Sequence, residues 1–487
     1  MNSLFEIMEI LSPEECNEFL LFLNKKNRRG DTKNQKLFKL LASGVSQDID
    51  IKLYGEKSSN ALHALSSRLH YSLIDFIASK SFQREASDEL EIFKLILAAR
   101  ILFEHKKYKI AFKTLDKAEK QALELDLYSI LTEIYHTKVQ YAHLNKKASF
   151  TETINASNLN LKLFTQEQQL NMVYATIKRD LKKQEAISIE QIITSAFGAF
   201  DINLDASLSY KSLFQLLNIS ATASKLQSNF YESMPFMTQL YAIISEKEHQ
   251  VDKHLFYHIE ILNLMAIASF RNKKFKTSQH FTEKMEVEMA KQNNKYHTRF
   301  LEKLYLNKGL LLNYTNKPNE AIALLKGFTK QSLDIELTLV MCYFQQQEFN
   351  NAYYIIKSFN HSDAWYEKKN GWIWVVKKCI IEILVLIELD KLDLVLSRLK
   401  TFNIKYSKKL NSIGEHRVVR FIKLVAVYYE SPKEVTSPKF HDIVEKSFEW
   451  IGTEKEDIFI MSFYAWLKSK MEGTNIYDTT LRLVTKQ

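Results

Sequence analysis

Glycine and proline are scarce in this chain. Its 487 residues include 10 Gly and 5 Pro, whereas average usage is roughly 7% and 5%. Proteins rich in β-structure need many tight turns, and those turns recruit both residue types. The scarcity therefore favours an all-α fold. The hydrophobic content of 46% also argues against a disordered chain, because disordered chains are poor in such residues.

Cysteine is equally rare, and the short motifs of catalysis are missing. Cys16, Cys342 and Cys379 lie far apart without a CxxC pair, so neither a disulfide framework nor a zinc knuckle is expected. The sequence contains no GxxxxGK[ST], GxGxxG, HExxH or GxSxG motif. We therefore expect a protein that is not an enzyme and that binds no cofactor.

Two histidines have the i, i+4 spacing of a helical metal pair. His254 and His258 would share one helix face, and His249 and Glu260 are the nearest further ligands. Neither completes a known ligand spacing, so we interpret the pair as ordinary helix residues and expect no metal.

No segment has the roughly 20 apolar residues that span a bilayer. The longest apolar run, near 379–389, is interrupted by Glu382 and Glu388, and the N-terminal sequence lacks the basic region of a secretory signal. We expect a cytoplasmic protein without membrane insertion.

The net charge of +10 suits an acidic or nucleic-acid partner, but the lysines are scattered in pairs, as on a solvated surface.

Residues 1–83 have a helical pattern of their own. Ser12, Pro13 and Glu15 compose a helix start, and leucines at helical spacing follow after residue 60. The strings LSPEE, FLLFL and KLFKLL, within about residues 8–80, resemble the N-terminal module of an uncharacterised group of helical-repeat proteins from Bacteroidetes-type bacteria. That resemblance implies a helical fold but no activity. The segment has 11 Lys and Arg against 10 Asp and Glu, which argues against a DNA-reading module.

Residues 84–487 contain several units of one pattern, of which YLNKGLLLNYTNKPNEAIALLKGF is the clearest. These units resemble tetratricopeptide repeats, in which 34 residues form two antiparallel helices. On that resemblance, the clearest unit places Gly309 and Ala321 at the small-residue positions where the helices cross. Tyr305, Leu312 and Leu325 take the large apolar positions that fill the layers between helices.

The repeat units are unevenly spaced. The best-framed ones lie near 92–124, 259–290, 302–329 and 333–360, and capping helices are expected over 438–470. Successive small residues of three units, at 278, 321 and 352, are 43 and 31 positions apart, which excludes a strict period of 34. We therefore predict an irregular tetratricopeptide-like α-solenoid of antiparallel helix pairs, preceded by a separate N-terminal helical module.

The resemblance implies a binding surface. In tetratricopeptide arrays the first helices of successive units line a concave groove. The positions that correspond to groove residues in this chain are Arg100, Glu104, Asn263, Arg271, Lys303, Asn313, Tyr314, Phe344 and Gln345. Such a mixture suits an extended peptide or a helix. The sequence therefore predicts a scaffold or adaptor that binds a segment of a partner protein.

Two alternatives stay open. The first is a nucleic-acid-linked regulator, either an RNA binder or a peptide-sensing transcription regulator, because the chain is basic. The second is a helical ribonuclease, since Arg100 and His105 match the R-x4-H pattern of the higher-eukaryote-and-prokaryote nucleotide-binding (HEPN) class. Ile101 stands where that class has a polar residue, and the pair lies inside a well-framed repeat.

Overall fold

The computed structural model describes most of the chain, namely residues 4, 7–8, 11, 13–26, 32–43, 48–84, 88–145, 149–180, 189–200, 202, 208–226, 230–412, 415–447 and 456–485. Within these ranges the regular secondary structure is entirely helical, which confirms the all-α prediction. Among the described helices, none combines the length and the apolar character needed to cross a membrane. The chain divides into two compact units, Met1–Asn160 and Leu161–Gln487.

The first unit contains two groups of helices. The N-terminal group consists of α1 (Pro13–Lys26), α2 (Lys33–Ala42), α3 (Ile49–Tyr54) and α4 (Ser59–Arg84), and it is followed by α5 (Asp88–Glu104), α6 (Tyr108–Glu124), α7 (Tyr128–Gln140) and the start of α8 (Phe150–Asp180). Each group has its own core, around Phe19 and Leu69 in the first and around Ala99 and Leu115 in the second. The division into compact units falls after residue 160. The predicted boundary of the N-terminal module at residue 83 stays a prediction.

The second unit continues with helices from α9 to α25. They are α9 (Ile189–Ala199), α10 (Tyr210–Leu226), α11 (Phe230–Ser245), α12 (Leu255–Arg271), α13 (Phe275–Met289), α14 (Lys291–Asn294), α15 (His297–Tyr314), α16 (Pro318–Lys326), α17 (Leu333–Gln345), α18 (Phe349–Ser358), α19 (Asp363–Asn370), α20 (Trp372–Glu388), α21 (Leu392–Ser412), α22 (His416–Glu430), α23 (Pro438–Ser447), α24 (Ile458–Glu472) and α25 (Ile476–Thr485). Proline inside an apolar helical stretch predicts a kink or a break; Pro235 lies inside α11, which continues past it to Ser245.

Successive helices of the second unit pack as pairs, α12 with α13, α15 with α16, α17 with α18 and α20 with α21. The crossing of α15 and α16 depends on a glycine. A Cβ atom at Gly309 would lie 2.7 Å from Cδ2 of Leu325, which is closer than carbon atoms pack. The small residue predicted at this crossing therefore has a steric cause, and the succession of packed pairs is solenoid-like.

Six interhelical turns share one backbone geometry without using glycine. In each turn one residue has a φ of 49° to 64°, and these residues are Lys106, Asp126, Lys273, Asn316, Gln347 and Asp390. The N–H of the next residue then donates to the carbonyl five positions earlier, at 2.8 to 3.0 Å, as from Lys107 to Leu102. This bond satisfies a carbonyl at the helix end. The recurring turn explains how so many helices are joined in a chain with so few glycines.

Candidate functional site

The C-terminal helix pair lies against the inner helices, which we define as α12, α15 and α17. Helix α24 contacts α12, and α25 contacts α17. Their shared core includes Phe270 and Tyr314 from the inner helices, with Ile458, Met461 and Val484 from the C-terminal pair. The sequence predicted helices over 438–470 that cap the end of the array. In the structure, the segment 456–485 packs against these three inner helices, and the capping of the array by 438–470 stays a prediction.

A buried ion pair attaches α24 to the end of α12. Nε of Arg271 donates to the carboxylate of Asp457, and the two residues are 5% and 4% exposed. The guanidinium lies between the rings of Phe230 and Phe459, at 4.8 and 4.7 Å from their centroids. Arginine suits this site because a planar cation stacks on aromatic faces while it donates to a carboxylate. We call this pair the clasp.

Asp457 has a second role as the N-cap of α24. Its Oδ1 accepts a hydrogen bond from the N–H of Phe459 at 3.0 Å, which satisfies one of the free donors at a helix start. The sequence suggests a capping box of Thr453 and Glu456 for this helix. Thr453 lies outside the described residues, and Glu456 instead accepts from Arg417 at 2.8 Å through its side chain.

The turn after α12 also holds the start of this segment. Nζ of Lys273 donates to the carbonyl of Glu456 at 2.7 Å, and Lys273 is only 8% exposed. Because Lys273 is the left-handed residue of its turn, the backbone geometry that ends α12 also positions this ammonium group. Arg271 and Lys273 thus bind Asp457 and Glu456, the two residues directly before α24.

Tyr314 and Asn313 at the end of α15 bind the C-terminal pair further along, and Gln345 of α17 bonds to both of them. The hydroxyls of Tyr314 and Ser462 share a hydrogen bond of 2.7 Å. The hydroxyl of Tyr477 donates to the backbone carbonyl of Asn313 at 2.5 Å. Gln345 accepts from Asn313 at 2.6 Å and donates to Tyr314 at 3.2 Å. Burial raises the pKa of Tyr314 to about 12, so its hydroxyl stays protonated and can donate.

Six of the nine predicted groove residues are therefore buried within the protein. They are Asn263, Arg271, Asn313, Tyr314, Phe344 and Gln345, each 5% exposed or less. Asn263 is buried by another inner helix, since its amide oxygen accepts from Asn307 at 3.0 Å. These six side chains do not line an open groove in this structure, because neighbouring helices or the chain's own C-terminal pair cover them. Partner binding by the nine residues stays a prediction.

The other three predicted residues are accessible. Lys303 is 41% exposed and donates to both oxygens of Glu260 at 2.6 and 2.7 Å. In the first unit, Arg100 is 37% exposed and bonds to Glu133 at 2.7 Å and to Thr137 at 3.2 Å, while Glu104 is exposed. Arg100 thus has partners of its own, and a ribonuclease role with His105 stays a prediction.

The N-terminal halves of α12 and α15 form a partly exposed surface beside Lys303, in which Phe256 and Glu260 are half-buried. The guanidinium of Arg299, which is exposed, lies 4.6 Å from the centroid of the Phe256 ring. With the pair of Glu260 and Lys303, these residues combine an aromatic face with charges of both signs. We call Phe256, Glu260, Arg299 and Lys303 the open inner surface.

The two histidines at metal-like spacing lie in the core. Nδ1 of His258 is 2.5 Å from the hydroxyl of Tyr210, and the ring of His254 stacks on that of Tyr210 with centroids 5.2 Å apart. Burial lowers the pKa of His258 to about 4, which keeps the ring neutral. Among the described residues, no three or more His, Cys, Asp or Glu side chains gather as a metal site would require.

Sequence reasoning missed Asp457, Ser462 and Tyr477 as binding residues. The available signal was local, since an aspartate directly before an apolar helical run indicates an N-cap.

Comparisons with family models, curated proteins and solved structures returned no match. They therefore give no support to the resemblance of residues 8–80 to the Bacteroidetes-type group.

Proposed function

We propose that this protein is a non-enzymatic scaffold, acting in the cytoplasm, that binds a peptide or a helix of a partner protein on its inner helices. The observation that supports this most is the seating of the C-terminal pair. The inner helices bind it through the clasp, through the hydrogen bonds of the Tyr314 hydroxyl with Ser462 and of the Asn313 backbone carbonyl with the hydroxyl of Tyr477, and through a shared apolar core. These are the interactions by which one protein recognises a helix of another.

The open inner surface is where we expect the partner to bind. It continues the same two helices, α12 and α15, beyond the part that the C-terminal pair covers. Phe256 and Arg299 offer a stacked apolar and cationic face, and Lys303 is accessible although it pairs with Glu260. Charges of both signs beside an aromatic ring favour an amphipathic segment that carries an acidic residue, since complementary charges fix the orientation of a bound segment.

Site-specific photo-crosslinking in the full chain tests this proposal. A photo-reactive residue replaces Arg299 in one protein and Lys446 in a control, because Lys446 is 75% exposed and lies in α23. Both proteins are irradiated in a lysate of the source cells, and the crosslinked proteins are identified by mass spectrometry. We expect a protein species that crosslinks at position 299 and not at position 446.

A charge reversal completes the test. Lys303→Glu is expected to reduce that crosslink at least tenfold, whereas Lys446→Glu leaves it unchanged. Identical crosslinks at positions 299 and 446, or none at 299, would contradict the proposal. Crosslinking of RNA instead of protein would favour the nucleic-acid alternative.

A further inference from the structure

Helix α6 carries a row of lysines along its exposed side. Lys109, Lys113, Lys117 and Lys120 follow one another at spacings of three or four residues, which places their side chains on one face of a helix. All four are exposed. Like charges four residues apart destabilise a helix, so the folding of α6 gives no reason for this arrangement. We call these four residues the lysine row.

The acidic residues of α6 do not neutralise the lysine row. Asp116 and Glu119 turn toward α7, where both bind the ammonium of Lys138, at 2.5 and 2.6 Å. Glu124 lies one turn beyond Lys120, at the end of the helix. Within the ranges that the structure describes, none of the four lysines forms an ion pair. The row therefore presents positive charge to the solvent.

The surroundings of the lysine row favour a polyanion that is bound through charge alone. Helix α6, which is described throughout, has no exposed aromatic side chain on which single-stranded nucleic acids would stack their bases, since Tyr108 is half-buried and Phe112 lies in the core. Its exposed apolar residues, Ile110 and Leu123, lie near the two ends of the helix. A protein partner would need an apolar anchor at the centre of the interface, whereas a phosphate backbone is bound by lysines as point charges.

The length of the row matches a groove of duplex DNA. Lys109 and Lys120 are 11 positions apart, which corresponds to ~16 Å along a helix axis. The major groove of B-form DNA is roughly 12 Å wide, so lysines at the two ends of the row can reach phosphates on both of its edges. The major groove of A-form RNA is deep and narrow and does not admit a helix in this way.

We propose that the lysine row binds the phosphate backbone of duplex DNA on both edges of the major groove, without reading the base sequence. Contacts between lysines and phosphates position a protein on DNA but carry no sequence information. This surface belongs to the first unit, and it does not depend on the partner site proposed for α12 and α15.

Fluorescence anisotropy of the full chain with a labelled DNA duplex tests the proposal. Each neutralised phosphate contributes about −0.9 to the slope of the logarithm of the binding constant against that of the salt concentration, so four lysines predict a slope of about −3.6 between about 50 and 200 mM KCl. Two duplexes of unrelated sequence are expected to bind within twofold of each other. Absence of binding at the lowest salt concentration, a slope near zero, or a tenfold preference for one sequence overturns the proposal.

Two triple variants with the same change in net charge locate the contact. Replacing Lys109, Lys113 and Lys120 together by glutamine is expected to weaken binding at least tenfold and to leave a slope of about −0.9, because one lysine of the row remains. The control replaces three exposed lysines elsewhere in the chain by glutamine and should bind within twofold of the wild type. The control residues are Lys276, Lys400 and Lys433. Equal weakening by the two triple variants overturns the assignment to the row.

A single variant decides the matter if the triple variant fails to fold. Glutamine has nearly the helix propensity of lysine, so Lys113→Gln should keep the circular dichroism of the wild type. Its salt slope should be smaller in magnitude by about 0.9. A slope equal to that of the wild type overturns the proposal.

Competition identifies the occupant of the row. Unlabelled DNA duplex is expected to displace the labelled duplex at concentrations at least tenfold below those of four other polyanions, compared at equal concentrations of negative charge. These are an RNA duplex of the same length, single-stranded DNA, poly-glutamate, and vesicles that contain phosphatidylserine. Displacement by any of the four at a concentration equal to or below that of the DNA duplex overturns the proposal in favour of that class of partner.

Discussion

Arg271 and Asp457 form a buried ion pair although 186 positions separate them in the chain. Arg271 ends α12, and Asp457 caps the start of α24. Their contact places an amphipathic helix pair against inner helices whose residues the repeat pattern assigns to partner binding. The same side chains therefore bind a helix, but one that belongs to this chain.

The clasp is expected to be a major determinant of stability in the second unit. Removing one member of a buried ion pair typically costs about 3–5 kcal/mol, because the other charge stays buried without a partner. We expect Arg271→Met or Asp457→Asn to lower the free energy of unfolding by this amount in urea denaturation. The double variant should cost less than the sum of the two.

A matched surface pair is the control for the clasp. Lys446 and Asp442 are 75% and 57% exposed, and such pairs contribute little. Lys446→Met should change stability by less than about 0.5 kcal/mol. A loss for Arg271→Met no larger than for Lys446→Met would contradict the importance of the clasp.

The left-handed turns predict a stabilising glycine. Lys106 has a φ of 59°, which costs a side-chain-bearing residue roughly 1–2 kcal/mol. Replacing it by glycine removes that strain and adds chain entropy to the unfolded state, so Lys106→Gly should gain about 0.5–1 kcal/mol in thermal or chemical denaturation. Lys107→Gly is the control, since φ is −91° there, and it should lose stability.

The close helix crossing at Gly309 predicts that a methyl group added at this position lowers the free energy of unfolding. Alanine favours a helix over glycine by about 1 kcal/mol, but at Gly309 its Cβ would overlap Leu325, and overpacking costs about 1–3 kcal/mol. We expect Gly309→Ala to lower the free energy of unfolding by about 1 kcal/mol. Gly198→Ala in α9, where nothing lies within 4 Å, should be neutral or stabilising. Equal effects at both sites would show that the crossing relaxes.

His258 predicts a loss of stability in mild acid. Burial first, and then the nearby charges of Lys284 and Lys291, lower its pKa to about 4, whereas an unfolded histidine titrates near 6.5. Between these values the unfolded chain binds the extra proton. Stability from this group is therefore full above pH 6.5 and falls by about 3 kcal/mol as pH decreases to 4.

A pair of variants isolates that histidine from the other acidic groups. His258→Gln should unfold with a shallower dependence on pH between 6.5 and 4 than the wild type, measured by urea denaturation at each pH. His105→Gln, at an exposed position, should keep the slope of the wild type. An unchanged slope in His258→Gln would contradict the assignment.

Two of the three cysteines are expected to be unreactive. Cys342 and Cys379 are 1% and 3% exposed, and burial raises the pKa of each thiol to about 12. Since the thiolate is the reactive form, a thiol reagent such as DTNB should modify at most Cys16 in the native protein. All three should react in denaturant, and rapid modification of a second thiol without it would show that the core opens.

Features that depend on local pattern could be read from the sequence. The scarcity of glycine and proline predicted an all-α fold, and the placing of Gly309 and Ala321 at the small-residue positions of the repeat predicted a close crossing of two helices. The first follows from composition, because proteins rich in β-structure need many tight turns, and the second is implied by the resemblance to a repeat whose positions are close together in the sequence. The lysine, aspartate, asparagine and glutamine residues that adopt the left-handed conformation in the turns were not predictable in this way, because their conformations are set by the helices that they join.

The burial of Arg271, Tyr314 and Asn313 was decided only by the tertiary structure. Their positions in the repeat indicated a surface that binds a helix, but repeat position does not say what covers that surface. The residues that cover this surface are Asp457, Ser462 and Tyr477, which lie more than a hundred residues further along the chain. A long-range contact of this kind leaves no trace in local periodicity, so the residues with the pattern of a partner site became the attachment site for the chain's own C-terminal helices.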